Sequence, residues 1–199
     1  MAYKTWTISP LLLATATVDR SQGLLYRDIG EKIQSGVLAF LLENGESKVL
    51  VDSGVCGVTE SAQFLRYFSR ARDQTLEAQL ARVGTSPHEI NIVINTHLHI
   101  DHCAGNLMCT NARWLVQKKE MDYWKNPLRV HRQAYKIELS EAGFELLDGD
   151  AKVLPGVRVM LTPGHSPGSQ SVLVDTAKGL YVLPGDAVPH FANMEVRAG

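Results

Sequence analysis

Ile90-Asn91-Ile92-Val93-Ile94-Asn95 leads directly into Thr96-His97-Leu98-His99-Ile100-Asp101-His102. The first half is rich in β-branched side chains and reads as a buried strand. The second half gathers three imidazoles and a carboxylate, and Cys103-Ala104-Gly105-Asn106 beyond it reads as a turn into a short helix. The cluster therefore sits on a loop at the end of a core strand, where a rigid scaffold can hold chemistry. In extended chain, side chains two apart point the same way, so His97 and His99 can converge on one cation. Asp101 and His102 follow after the chain turns and can serve a second cation beside the first. Neutral imidazole suits zinc and its neighbours, and a carboxylate adds compensating charge.

Composition sets the frame for that motif. The chain has 199 residues, 45% of them hydrophobic, enough to bury a substantial core. Its 20 basic and 21 acidic residues leave a net charge of -1, with no long basic run. That balance argues against a nucleic-acid or anionic-membrane partner. Cys56, Cys103 and Cys109 make no disulfide framework, which fits a reducing, cytoplasmic setting. The apolar stretch Ile8 to Ala16 lacks a basic leader beyond Lys4 and is interrupted by Pro10, so it reads as an opening strand and loop rather than a signal peptide. No run is long enough to span a membrane.

Strands and helices alternate along the chain. Gly36 to Leu42 and Lys48 to Asp52 are strands joined by a turn containing Asn44-Gly45, a strong hairpin signal. The second strand ends in Asp52-Ser53-Gly54, where Asp52 is either a plain turn residue or a partner that orients a ligand histidine. Residues 59–83 read as the longest helix, with an apolar stripe of Phe64, Leu65, Phe68, Leu76, Leu80 and Val83. Ser86, Pro87 and Glu89 form a capping pattern, and His88 there reads as exposed. A short strand at Ala112 to Val116 precedes a helix from Lys118 to Trp124 and a second helix from Leu128 to Leu139 that carries His131 as a surface or core residue. Residues 117–147 could overhang the metal site as a lid. Tyr123, Trp124 and Tyr135 would then line it, although ordinary packing is the preferred reading.

A second informative region opens at Asp148. A strand ending at Leu161 runs into Thr162-Pro163-Gly164-His165-Ser166-Pro167-Gly168, which holds one histidine on a tight loop at a strand end. His165 is expected to be a ligand, because an open zinc site needs a third protein ligand beyond His97 and His99. Ser171 to Asp175 and Gly179 to Leu183 form a hairpin whose second strand ends in Pro184-Gly185-Asp186. Asp186 is placed to bridge two cations through its two oxygens, or else is a turn aspartate.

Together, His97-Leu98-His99-Ile100-Asp101-His102, then His165, then Asp186, with Asp52-Ser53-Gly54 upstream, resemble the metallo-β-lactamase superfamily. Val153-Leu154-Pro155-Gly156-Val157 followed by Thr162 to Gly168 is similar to its N-acyl-homoserine lactone lactonase branch, the quorum-quenching enzymes. The resemblance implies an α/β fold, an αβ/βα four-layer sandwich. It would be a single domain over 1–199 with two similar halves, about 1–147 and 148–199, the second incomplete. It also implies that His97, His99 and His165 hold one metal, that Asp101 and His102 hold the other, and that Asp186 bridges.

Two departures stand out. The family carries a further metal-binding histidine well after the bridging aspartate; here His190 is the one later histidine and follows Asp186 too closely. A missing C-terminal segment is the expected reason. Lactonases also carry a tyrosine three residues after that aspartate, where this chain has Pro189; His190 is a candidate for part of its role. The expected chemistry is two-metal hydrolysis of an ester or lactone, with zinc first and iron, manganese or cobalt acceptable. A hydroxide held between the cations attacks the carbonyl, and Asp101 holds it and passes a proton to the leaving alkoxide. A glyoxalase II-type thioesterase, a β-lactamase, and a non-catalytic binding protein on the same fold are the alternatives. The partner is a small-molecule substrate, and a homodimer stays open.

Overall fold

The computed structural model describes residues 4–24, 27–55 and 67–194. Two sheets carry the architecture. The larger is built from β1 (Thr7–Asp19), β2 (Lys32–Glu43), β3 (Lys48–Val51), β4 (Phe68–Ser69), β5 (Ile92–Ile94), β6 (Arg113–Gln117) and β7 (Phe144–Leu147), in the spatial order β4-β1-β2-β3-β5-β6-β7. Strands β1, β2 and β3 form an antiparallel meander, and β3, β5, β6 and β7 run parallel. The smaller sheet, β11-β10-β9-β8, is antiparallel and comprises β8 (Ala151–Leu154), β9 (Val157–Leu161), β10 (Gln170–Thr176) and β11 (Gly179–Leu183). The helices are α1 (Leu76–Arg82), α2 (Ile100–Cys103) and α3 (Lys118–Lys125).

The continuous apolar runs of β3 and β5 follow from burial on both faces. Val49, Val51, Ile92, Ile94 and Leu115 point inward, against Val157, Val159, Val172, Val174 and Leu183 of the smaller sheet. The alternate residues Leu50 and Val93 point the other way, into a second core with Leu11, Leu13 and Leu41, closed by Leu76 and Leu80 of α1. Helix, sheet and sheet are thus stacked around two apolar layers. Met160, Leu180 and Val182 stand exposed on the smaller sheet. A third core beneath α3 joins Leu98, Cys103, Val116, Met121, Tyr135 and Leu139.

Two expected helices differ from the fold. Of the helix expected over 59–83, residues 59–66 lie outside the described residues, and Phe68–Ser69 instead pairs with Ala16 and Thr15 as an edge strand. The helix begins only after Thr75, whose hydroxyl accepts from the Ala78 N–H and restarts the chain as α1. Of residues 128–139, 136–139 are irregular and 129–135 form successive turns, with His131 N–H donating to Leu128 O and Ala134 N–H to His131 O. There the Ala134 carbonyl accepts from Ile100 N–H at 2.7 Å, so the segment is pinned to the start of α2 rather than closing its own helix. The Ser86 pattern forms a single 3-10 turn, Pro87–Glu89, and the Ser86 hydroxyl donates to Glu89 at 3.0 Å.

Leu80 is fully buried where α1 meets the larger sheet. Leu80→Ala should cost about 2–5 kcal/mol of stability through lost transfer energy and a residual cavity. Urea denaturation should show a lowered midpoint with an unchanged m value.

Candidate metal centre

The candidate ligands lie in the segments that follow strand ends, with Asp101 and His102 on α2 just beyond β5. Asp52 follows β3, the His97 to His102 segment follows β5, His165 lies between β9 and β10, and Asp186 follows β11. The two sheets are stitched at this edge by Gln170, whose N–H donates to Thr96 O at 2.9 Å and whose side-chain amide donates to Asn95 O at 2.8 Å. Gly185 has φ 53°, and a Cβ there would lie 2.7 Å from Thr96, so a glycine lets the Asp186 turn close onto the histidine loop.

The loops bring four imidazoles together. Ring centroids of His99, His102 and His165 lie 4.5, 4.1 and 4.7 Å from that of His97. His99 Nδ1 and His165 Nε2 are 3.0 Å apart. Asp186 spans the cluster, with one oxygen 3.4 Å from His102 Nε2 and the other 3.5 Å from His165 Nε2. Two sets of ligand atoms fall within 4.8 Å of one another: His97, His99 and His165, and His97, His102 and Asp186. His97 belongs to both. Asp101 belongs to neither, but its Oδ2 lies 3.7 Å from His102 Nε2, and its buried Oδ1 has no hydrogen-bond partner among the described residues. His165 is exposed while His97 is buried, so the cluster opens to solvent on one side.

Electrostatics follow from this crowding. Burial, and then the charge of His102, hold His97 well below the ordinary imidazole range. Burial and the neighbouring His165 push His99 down to about 3. Burial would lower His102 too, but Asp186, Asp101 and Asp52 together outweigh it and raise that imidazole well above its usual range. Burial opposes ionisation of Asp186, yet His102 holds it below the usual carboxylate range. Burial raises Asp101. Neutral His97 and His99 present bare nitrogen lone pairs, and the buried Nε2 of His97 is orphaned among the described residues. An unsatisfied buried nitrogen at the centre of such a donor set fits a divalent cation of the zinc type.

Asp52 combines both of its expected readings. It adopts φ 58°, a turn conformation that Asp tolerates, and it holds the loop by three contacts. Its Oδ1 accepts from Thr96 N–H at 2.7 Å, and its Oδ2 from the Thr96 hydroxyl at 2.8 Å and lies 2.8 Å from His102 Nδ1. The contact at Nδ1 leaves His102 Nε2 facing Asp186 and the cluster.

Of the other expectations, His131 pairs with the Tyr123 hydroxyl at 2.6 Å and belongs to neither set of clustered ligand atoms. His190 Nδ1 accepts from Ala192 N–H at 3.1 Å within its own turn. Tyr135 packs in the third core, as the ordinary reading holds, and its ring also stands edge-on to His99 at 4.6 Å. Glu120 went unnoticed in the sequence. It lies in the charged run Lys118-Lys119-Glu120, which looks like a solvated helix face, yet it is fully buried.

Comparison with known proteins agrees with this geometry. Residues 34–198 match the sequence model of the metallo-beta-lactamase superfamily. An N-acyl homoserine lactonase of Bacillus thuringiensis is 33% identical over 165 residues, 77% of this chain and 64% of that protein. Another, of Bacillus cereus, is 33% identical over 178 residues, 83% of this chain and 69% of that protein. The structure of an N-acyl homoserine lactone hydrolase with the product N-hexanoyl-L-homoserine bound at its catalytic metal centre superposes with a TM-score of 0.75 and 28% identity, covering 94% of this chain and 76% of that one. The chain thus spans 64% to 69% of the length of these two lactonases.

Asp52→Asn keeps the turn conformation but sets an amide where a carboxylate now takes two hydrogen bonds and faces His102. It should cost about 1–3 kcal/mol of folding stability, measured by urea denaturation. A variant as stable as the parent would remove Asp52 from the framework of the cluster.

Proposed function

This chain belongs to the metallo-beta-lactamase superfamily, and we propose that it is a metal-dependent hydrolase that opens the ring of N-acyl homoserine lactones. The observation that carries the proposal is the convergence of His97, His99, His102, His165 and Asp186 at one solvent-open sheet edge. The likeness to lactonases at 33% identity supports the substrate class.

His97, His99 and His165 would hold one cation; His102 and Asp186, with Asp101 beside them, would hold a second. Zinc is the first choice, and iron, manganese or cobalt suit the same nitrogen and oxygen donors. When bound, such cations supply a water of lowered pKa and polarise the substrate carbonyl. The protein's part is to orient and to move protons. Asp186 faces His102 with one oxygen and His165 with the other, so it fixes the distance between the two halves of the centre. Among the described residues, Asp101 keeps an unpartnered oxygen at the buried floor, where it can take a proton from the attacking water and deliver it to the alkoxide released by ring opening. The burial of His97 and His102 keeps the floor dry, while exposed His165 leaves an entrance for substrate.

A near-neutral net charge and no long basic run support a small uncharged substrate over nucleic acid. Among the described residues, no helix is long and apolar enough to cross a membrane. Three cysteines in 199 residues, with Cys103 and Cys109 both buried, support a reducing, cytoplasmic setting.

The test is a panel of N-hexanoyl-homoserine lactone, a thioester and a β-lactam given to the purified protein, with proton release as the readout. Lactone turnover should dominate and should disappear after chelation. Asp101→Asn should keep its circular dichroism spectrum and lose about 10²–10⁴-fold in kcat. Hydrolysis of the thioester or β-lactam in preference to the lactone would replace the substrate assignment. Near-parental turnover by the Asn variant would remove Asp101 from the proton path.

A further inference from the structure

Glu120 is fully buried, three residues into α3, and is absent from both sets of clustered ligand atoms. Its carboxylate nevertheless accepts four hydrogen bonds. Oε1 takes Leu98 N–H at 3.0 Å and the Tyr135 hydroxyl at 2.9 Å. Oε2 takes the Ser166 hydroxyl at 2.6 Å and Gly168 N–H at 3.1 Å. Leu98 is the residue between His97 and His99. Ser166 is the residue after His165. Tyr135 stands edge-on to the His99 ring. Each histidine of the triad therefore adjoins a group that Glu120 holds.

The two halves of this contact belong to different sheets. The His97 to His99 loop leaves β5 of the larger sheet, and the His165 loop joins β9 to β10 of the smaller one. The His165 loop is pressed so closely on α3 that a Cβ on Gly168 would lie 2.1 Å from the Glu120 backbone nitrogen. Four donors converging on two oxygens call for a group that only accepts. An ionised carboxylate offers about four such sites, whereas an amide must turn its NH₂ toward one donor pair. The hydroxyls of Tyr135 and Ser166 can rotate away from that clash, but the backbone N–H groups of Leu98 and Gly168 cannot.

We propose that Glu120 is a positioning residue that fixes the His97–His99 pair against His165 across the two sheets, and so sets the metal affinity and coordination geometry of the triad. This rests on reading the cluster as a metal centre. The carboxylate acts through Leu98 and Ser166 and touches neither the cation nor the substrate.

The test is titration of the metal-stripped protein with Co²⁺, following the visible absorption bands, which report coordination geometry independently of turnover. Glu120→Gln should weaken Co²⁺ binding about 10–100-fold and alter the bands. Ser166→Ala, which removes one of the four donors, should change both in the same direction and by less. Leu80→Ala, remote from the cluster, should lose stability yet bind Co²⁺ with parental affinity and bands. If Glu120→Gln does not fold, Ser166→Ala decides alone. Parental affinity and bands in the folded variants would overturn the positioning role while leaving the metal centre standing. A parent that binds no Co²⁺ would overturn both.

Discussion

His97 packs between three other imidazoles, its ring centroid 4.1 to 4.7 Å from each, in a place with almost no access to water. Protons cannot be put on all of these rings at that spacing without severe repulsion. The protein's own charges resolve it unevenly. Asp52, Asp101 and Asp186 stabilise a cation on His102, while His97 and His99 are kept neutral. A divalent ion would satisfy the same arrangement more completely, since it would give the neutral nitrogens a partner and the carboxylates a counter-charge.

The fold can be understood as the apparatus that holds this unfavourable packing in place. Strands β3 and β5 are buried on both faces, which anchors their ends, and the loops carrying Asp52 and the histidine cluster begin where those strands stop. Two buried carboxylates then lock the loops from behind. Asp52 ties Thr96 to His102 within the larger sheet, and Glu120 ties the Leu98 backbone to the His165 loop of the smaller one. Burying such carboxylates is costly unless their oxygens are hydrogen-bonded. Here Glu120 meets four donors, Asp52 meets the Thr96 N–H and hydroxyl and His102, and these contacts hold residues in or around the imidazole cluster.

Much of this was legible in the sequence because the signals were local. The β-branched run at Ile92 to Ile94 and the dense spacing of His97, His99, Asp101 and His102 could be read without knowing what lay across the chain. His165 and Asp186 were legible as polar residues at Gly- and Pro-marked strand ends. Glu120 was not, because its burial depends on the β9–β10 loop, which is distant in sequence, and its neighbours Lys118 and Lys119 suggest solvent. Of the helix expected over 59–83, Leu76–Arg82 formed, while Phe68–Ser69 departed from it for a similar reason. Phe68 fits a helical stripe by spacing, but the free edge of β1 offered it a strand partner, and tertiary pairing overrode local periodicity. Asp52 could not be resolved from pattern alone because its two readings are compatible, a turn conformation with a carboxylate aimed at His102.

The central claim is that this cluster is a metal centre built to hold a pair of cations. Elemental analysis of the protein, purified without chelators or affinity metals and weighed by intact mass in the same sample, tests it most directly. The account predicts about two divalent metal ions per chain, zinc foremost. A folded protein that carries none, and takes up none on incubation with Zn²⁺, would contradict it.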